Sequence, residues 1–145
     1  MIGPAALAAA ALAAQGVALP GAGAEWRLAT ADGDSAIFVD HAGLERAGNK
    51  VRFWSLKVVR RQGPEFSGAR ALTQADCRKF TYRPLTTVFI LGATPVISGA
   101  GRTALARPGR SEYEMLRVAC GLRAPGAASA DPVADMFARW RLEKR

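Results

Sequence analysis

The chain is short of the residues on which most metal and redox chemistry depends, with one histidine, two cysteines and four lysines among its 145 residues. His41, Cys77 and Cys120 stand far apart along the chain, so a four-ligand zinc site has no support. No Cys-x-x-Cys pair exists to cycle between dithiol and disulfide. No Gly-x-Ser-x-Gly elbow is present, and adjacency alone does not make a dyad of Asp40 and His41. Those two are expected to be a turn aspartate and an exposed histidine. Gly99-Ala100-Gly101 lacks the third glycine, the strand-to-helix setting and the acidic partner of a dinucleotide site. The expectation is a protein that is not an enzyme and holds no cofactor and no metal.

Charge is missing from the first 24 residues altogether. Met1 to Leu19 is mostly Ala and Leu, and it gives way to Pro20-Gly21 and then to Ala22-Gly23-Ala24, small residues of the kind a signal peptidase reads. A signal peptide over residues 1–24 is expected, with cleavage leaving Glu25 first and about 121 residues, enough for one modest core. A retained membrane anchor is the alternative, but the run is poor in large apolar side chains and holds Pro4, Gly16 and Pro20. No cysteine precedes Cys77, so the leader offers no acceptor for a lipid anchor. The mature form is expected in the periplasm or secreted, with no transmembrane span.

Two cysteines in an exported chain favour a Cys77–Cys120 disulfide, because the compartments outside the cytoplasm are oxidising. Closing that loop of about 43 residues is worth roughly 4 kcal/mol in the chain-entropy model. Two independent buried thiols are the alternative.

The 20 basic and 12 acidic residues leave a net charge of +8, all of it after the leader. A basic exported domain suits an acidic polysaccharide, lipid headgroups or an acidic protein. An Arg-rich, Lys-poor chain is equally what a biased base composition produces.

Along the chain, Glu25 to Thr30 alternates Trp26 and Leu28 with polar neighbours, as a half-buried strand does. Asp32-Gly33-Asp34 is a turn, Ala36 to Val39 a second strand, and Asp40 opens a one-turn segment through Leu44 and Glu45 that closes at Gly48-Asn49. Lys50 to Arg60 is the longest strand candidate. Val51, Phe53 and Val59 lie on one parity and Trp54, Leu56 and Val58 on the other, so both faces want cover. Gln62 to Gly68 is expected as a loop, Ala69 to Tyr82 as extended chain, and Leu85 to Leu91 as another β-rich run. In a regular strand Cys77 would share its face with Lys79 and Thr81, opposite Arg78, Phe80 and Tyr82, which calls for a bulge or for cover on both sides. Residues 92–110, rich in Gly and Pro, form a long connection with room for a short strand near Val96 and Ile97.

Ser111 to Glu114 (SEYE) matches a capping box, so a helix is expected from Ser111 with Gly121 ending it. Tyr113, Leu116 and Cys120 share one of its faces. After a small-residue linker from Pro125 to Ala130, Asp131-Pro132 opens another helix, with Val133, Met136, Phe137 and Trp140 as its apolar stripe. That helix either packs on the domain's own core or docks on a second subunit or a membrane surface.

Taken together, Glu25-Trp26, Phe38-Val39-Asp40, Leu44-Glu45-Arg46-Ala47-Gly48-Asn49, Val51-Arg52-Phe53-Trp54, Asp76-Cys77-Arg78 and Pro108-Gly109-Arg110 leading to Val118-Ala119-Cys120 resemble the surface-adhesin protein E family of Gram-negative bacteria. The resemblance runs from residue 25 to about residue 123. It implies an α+β fold, a curved antiparallel sheet of five to six strands with a C-terminal helix tethered to it by the disulfide. Residues 124–145 would add a linker and an extra terminal amphipathic helix. The founding type is a lipid-anchored, dimer-forming adhesin for host matrix proteins. This chain departs from it in lacking a lipidation cysteine and in carrying the helix from Asp131 onward.

The candidate binding surface is Arg52, Trp54, Arg78, Phe80 and Tyr82, basic and aromatic residues of the sheet. Such a set also suits nucleic acid, a partner that export disfavours. An extracytoplasmic binder of a protein or acidic glycan keeps the same surface, with a homodimer as the family implies. The alternative is a structural periplasmic module that associates with itself and takes no host ligand.

Overall fold

A computed structural model of the chain describes residues 24–60, 66–91 and 94–143. The expected leader, apart from Ala24, lies outside the described residues. So do positions 62–65 of the expected loop, and Gly92.

The order of elements is β1 (Trp26–Ala31), β2 (Ser35–Asp40), β3 (Glu45–Ala47), β4 (Lys50–Val59), β5 (Phe66–Asp76), β6 (Thr81–Leu91), β7 (Thr94–Ser98), β8 (Ala104–Leu105), α1 (Ser111–Ala119), β9 (Ala128–Ser129) and α2 (Pro132–Glu143). The strands form one antiparallel sheet in the order β7-β6-β5-β4-β2-β1-β9, with β3 also on β4 and β8 also on β6. The α+β class holds, but nine strands replace the expected five to six. The surplus is β3, β8 and β9, pieces of two or three residues. Their residues carry no alternation long enough to read, and only pairing with a longer neighbour makes strands of them.

Local chemistry explains most boundaries. Asp32 turns β1 into β2 by accepting from the backbone N–H of Asp34 at 2.7 Å and of Ser35 at 2.8 Å, an Asx turn. The expected one-turn segment through Leu44 and Glu45 is only a turn at 41–43. Glu45 to Ala47 is extended, because it folds back through Gly48-Asn49 onto the start of β4. The expected loop through Gly68 ends earlier, since β5 begins at Phe66. Gly68 reads as a loop residue but serves a close approach: a Cβ there would collide with the carbonyl oxygen of Lys57 on β4. Cys77 is not in a strand at all. It opens a turn over residues 77–80 between β5 and β6, with Phe80 at φ 57°. That turn removes the conflict between Cys77 and its aromatic neighbours, because strand parity does not run through it.

Helix α1 starts at Ser111 as expected but not by the expected device. Arg110 occupies the cap position with no side-chain hydrogen bond, and Glu114 pairs instead with Arg123 at 2.8 Å and Arg117 at 3.4 Å. Its end follows the expectation closely. Gly121 has φ 75°, Leu122 N–H donates to Arg117 O at 2.8 Å and Gly121 N–H to Val118 O at 3.1 Å, the two bonds of a Schellman motif. At the start of α2, Asp131 accepts from the N–H of Ala134 at 3.2 Å, and Pro132 fills the first position.

The two helices cover opposite faces of the sheet. On one, Ile37, Val39, Val51, Phe53 and Ala75 meet Met115, Leu116 and Ala119 of α1. On the other, Trp26, Ala36, Phe38, Leu56 and Val58 meet Met136 and Trp140 of α2. β4 supplies both clusters by alternation, which satisfies the demand for cover on each side. In β1 a bulge between Leu28 and Thr30 shifts parity, so Ala29 joins the α1 side while Ala31 stays with Trp26 and Leu28. The stripe of α2 thus packs on the domain's own sheet, and the segment before it forms β9 on the edge of β1.

The Cys77–Cys120 disulfide is present, with a Cα–Cα distance of 5.7 Å. It ties the β5–β6 turn to the C-terminus of α1. No helix among the described residues is long and apolar enough to cross a membrane.

Candidate functional site

The five candidate residues do not form one surface. Arg52 and Trp54 point to the α2 side of β4, where Trp54 packs beside the α2 cluster with the guanidinium of Arg70 5.1 Å from its ring centre. Phe80 and Tyr82 pack towards α1, and the Phe80 ring lies 4.9 Å from that of Tyr113. Arg78 is exposed in the turn between them. Phe80 and Tyr82 are therefore largely spent on the core. Burial, followed by the charge of Glu112, raises the pKa of Tyr82 above its ordinary value.

What the sheet does bring together is a row across three strands on the α2 side. Arg52 of β4 lies opposite Gln74 of β5, and Gln74 lies opposite Arg83 of β6. Glu45 of β3 flanks Arg52 from the other side. Two shallow hollows run along this row and share Lys50 and Gln74. The larger, about 240 Å³, is bounded by Arg46 and Arg52, and the smaller, about 170 Å³, by Asp76, Arg83 and Thr103. No residue of α2 lines either hollow, and Arg52 and Arg83 are exposed.

The cations of this region differ in how far they are committed. Arg46 donates to Ala119 O at 2.9 Å and to Cys120 O at 3.4 Å, answering carbonyls that a helix end leaves unpaired. Lys50 lies 3.4 Å from Asp76. Arg83 donates one N–H to Gly101 O at 3.1 Å, which orients its guanidinium. Arg52 has no ion pair among the described residues. The row thus offers two exposed guanidinium groups and an amide between them, an arrangement that grips carboxylate or sulfate groups bidentately. Gln74, Arg83 and Lys50 were not singled out from the sequence. Their only signal is cross-strand register, which no local pattern encodes.

Asp76 holds the turn beneath this row. Its Oδ1 accepts from the N–H of Arg78 and of Lys79, each at 2.9 Å. The pKa of Asp76 is lowered, chiefly by the Lys79 N–H and further by Arg78 and Lys50, with burial acting against them. A carboxylate with a depressed folded pKa stabilises the fold above its unfolded value of about 3.9 and loses that contribution as pH falls through the folded value. Stability should therefore drop below about pH 4, and Asp76→Asn should flatten that drop. Urea unfolding followed from pH 6 to pH 3 tests this, and equal pH slopes in the two proteins would refute it.

His41 is exposed, and Asp40 is buried with its Oδ1 accepting from Gly43 N–H at 3.2 Å, as a turn aspartate does. No group of three or more His, Cys, Asp or Glu among the described residues is placed to hold a metal ion. Comparison with family models, with curated proteins and with solved structures finds no match to this chain.

Proposed function

We propose that this is an exported, non-enzymatic binding protein of the bacterial envelope, similar to the surface-adhesin protein E family, which takes an acidic partner on the Arg52–Gln74–Arg83 row. The observation that carries the proposal is that row, with Trp54 next to Arg52 on the same face of β4. Exposed guanidinium groups flanking an amide suit the anionic substituents of an acidic glycan, or a carboxylate-rich protein segment, and the half-buried Trp54 bounds the row on its apolar side. The net charge of +8 steers such a partner inward. The disulfide accords with a periplasmic or secreted location.

The test is retention on immobilised heparin and polygalacturonate. Binding should weaken as salt rises, and Arg52→Glu with Arg83→Glu should cut affinity at least about tenfold while the melting temperature is kept. No retention at about 50 mM salt would sink the electrostatic reading. Tighter binding to single-stranded DNA than to either glycan would move the assignment to nucleic acid.

A second reading has its own support. Among the described residues β7 lies at the end of the sheet order, carries no charged side chain, and leaves Val96 and Ile97 46% and 54% exposed. An uncharged, apolar edge is a template for pairing, which favours a self-associating module. Native mass spectrometry distinguishes the two, since a strictly monomeric protein removes self-association.

A further inference from the structure

We propose that removal of the leader completes the fold chemically, because the α-ammonium group freed on Glu25 forms an ion pair with the buried carboxylate of Asp40. The inference rests on the proposed export and signal cleavage, and it concerns a pairing that neither the leader nor the fold alone implies.

Asp40 ends β2 on the α2 side and is only 5% exposed. Its Oδ1 accepts two hydrogen bonds, one from Gly43 in its own turn and one, at 2.9 Å, from the backbone nitrogen of Glu25. Among the described residues it has no ion-pair partner. A buried carboxylate without a countercharge is costly, and its burial makes sense once a cation reaches it. The turn is built around this carboxylate. A Cβ on Gly43 would fall 2.6 Å from Asp40 Oδ2, so any larger residue there must displace the carboxylate from its present position.

Glu25 is held for the contact from three sides. Its carbonyl accepts from His41 N–H at 2.9 Å, its carboxylate pairs with Arg27 at 3.3 Å, and Trp26 follows in register with Asp40. The nitrogen that reaches Asp40 is therefore the one exposed by hydrolysis between Ala24 and Glu25. In that hydrolysis water adds across the amide: the Ala24 carbonyl carbon takes the hydroxyl and leaves as a carboxylate, and the Glu25 nitrogen becomes an amine that is protonated at neutral pH. One neutral N–H is replaced by three donors and a unit positive charge at the same position. Charge-assisted bonds of this type are shorter and stronger than neutral ones. A chain that keeps even one extra residue holds an amide there, and its ammonium group lies one residue further out.

The experiment compares chains 25–145 and 24–145, which both contain every described element, each with Asp40 and with Asp40→Asn. The chain starting at Glu25 should melt roughly 4 °C or more above the one starting at Ala24, and the gap should close in Asp40→Asn. Equal melting temperatures with Asp40 present, or a gap that persists in Asp40→Asn, would overturn the proposal. If Asp40→Asn does not fold, acylation of the N-terminal amine decides: the Glu25 amine should react at least tenfold more slowly than the Ala24 amine, and equal rates refute the capture. The intact mass of the protein exported from the full chain reports separately whether cells cleave before Glu25. A different cleavage point would overturn the export step while leaving the capture of a Glu25 ammonium to stand or fall on the melting data.

Discussion

Reduction of the Cys77–Cys120 disulfide should lower stability by about 4 kcal/mol, the chain-entropy value for a bridge across 43 residues. Small domains have only about 5–15 kcal/mol in total, so the loss takes from about a quarter to most of the stability of the fold. The effect should be uneven across the molecule. Cys120 caps α1, and the covalent bond holds that cap to the β5–β6 turn, so amide exchange in the last turn of α1 should accelerate most. Leu116 and Ala119 are fully buried against Val39, Val51 and Phe53, and loosening the cap exposes that whole side of the sheet. Urea denaturation of the oxidised and reduced protein, with Cys77→Ala plus Cys120→Ala as a redox-independent control, measures the loss. A difference below about 1 kcal/mol would show that packing of α1 alone holds the sheet, against the chain-entropy argument.

Trp140→Ala should cost a comparable amount on the opposite face, about 3–5 kcal/mol for the vacated volume. Trp140 is 1% exposed, packs edge-on to Phe137 at 5.4 Å between ring centres, and donates its indole N–H to Asp32 O at 2.9 Å. That bond joins α2 to the β1–β2 turn across 108 positions of sequence. Trp140→Phe separates the two contributions, since it keeps most of the volume and loses the donor, at about 1 kcal/mol. If Trp140→Ala unfolds at the same urea concentration as the parent chain, α2 is an appendage and the second layer contributes nothing. The structure argues otherwise, because Trp26, Phe38, Leu56 and Val58 have α2 as their cover.

The pattern of β4 shows how far a local signal reaches. Its two apolar parities announce a strand covered on both sides, and both helices are marked by their stop and start chemistry at Gly121 and Asp131-Pro132. Which helix goes to which face is absent from those signals. It follows from the order β5-β4-β2-β1 and from the bulge in β1, which depend on pairings between distant segments. The SEYE box at Ser111 is a cautionary case. The motif marks the right place, yet the helix begins one residue earlier than the box requires: Arg110 is the cap, Ser111 already lies inside the first turn, and Glu114, out of register to close the box, pairs with Arg123 and Arg117.

The candidate site divides along the same line. Arg52 and Trp54, two residues apart on one strand, share a face by the period of the strand alone. Composition alone groups Phe80 and Tyr82 with them, but the turn at residues 77–80 sets their side of the sheet, and they pack half-buried against the core beneath α1. Gln74 and Arg83, which complete the basic row, stand 22 and 31 positions beyond Arg52 and meet it only through register. The sequence by itself determined the scarcity of metal and redox ligands, the paired cysteines, most of the strands and the two helices. Each of these rests on composition or on interactions within a few residues. Tertiary structure alone decided the three short strands, the face each helix covers, the arginine row and the meeting of Glu25 with Asp40. Those depend on the register between distant strands, and register is an energy of the whole sheet that no single segment carries.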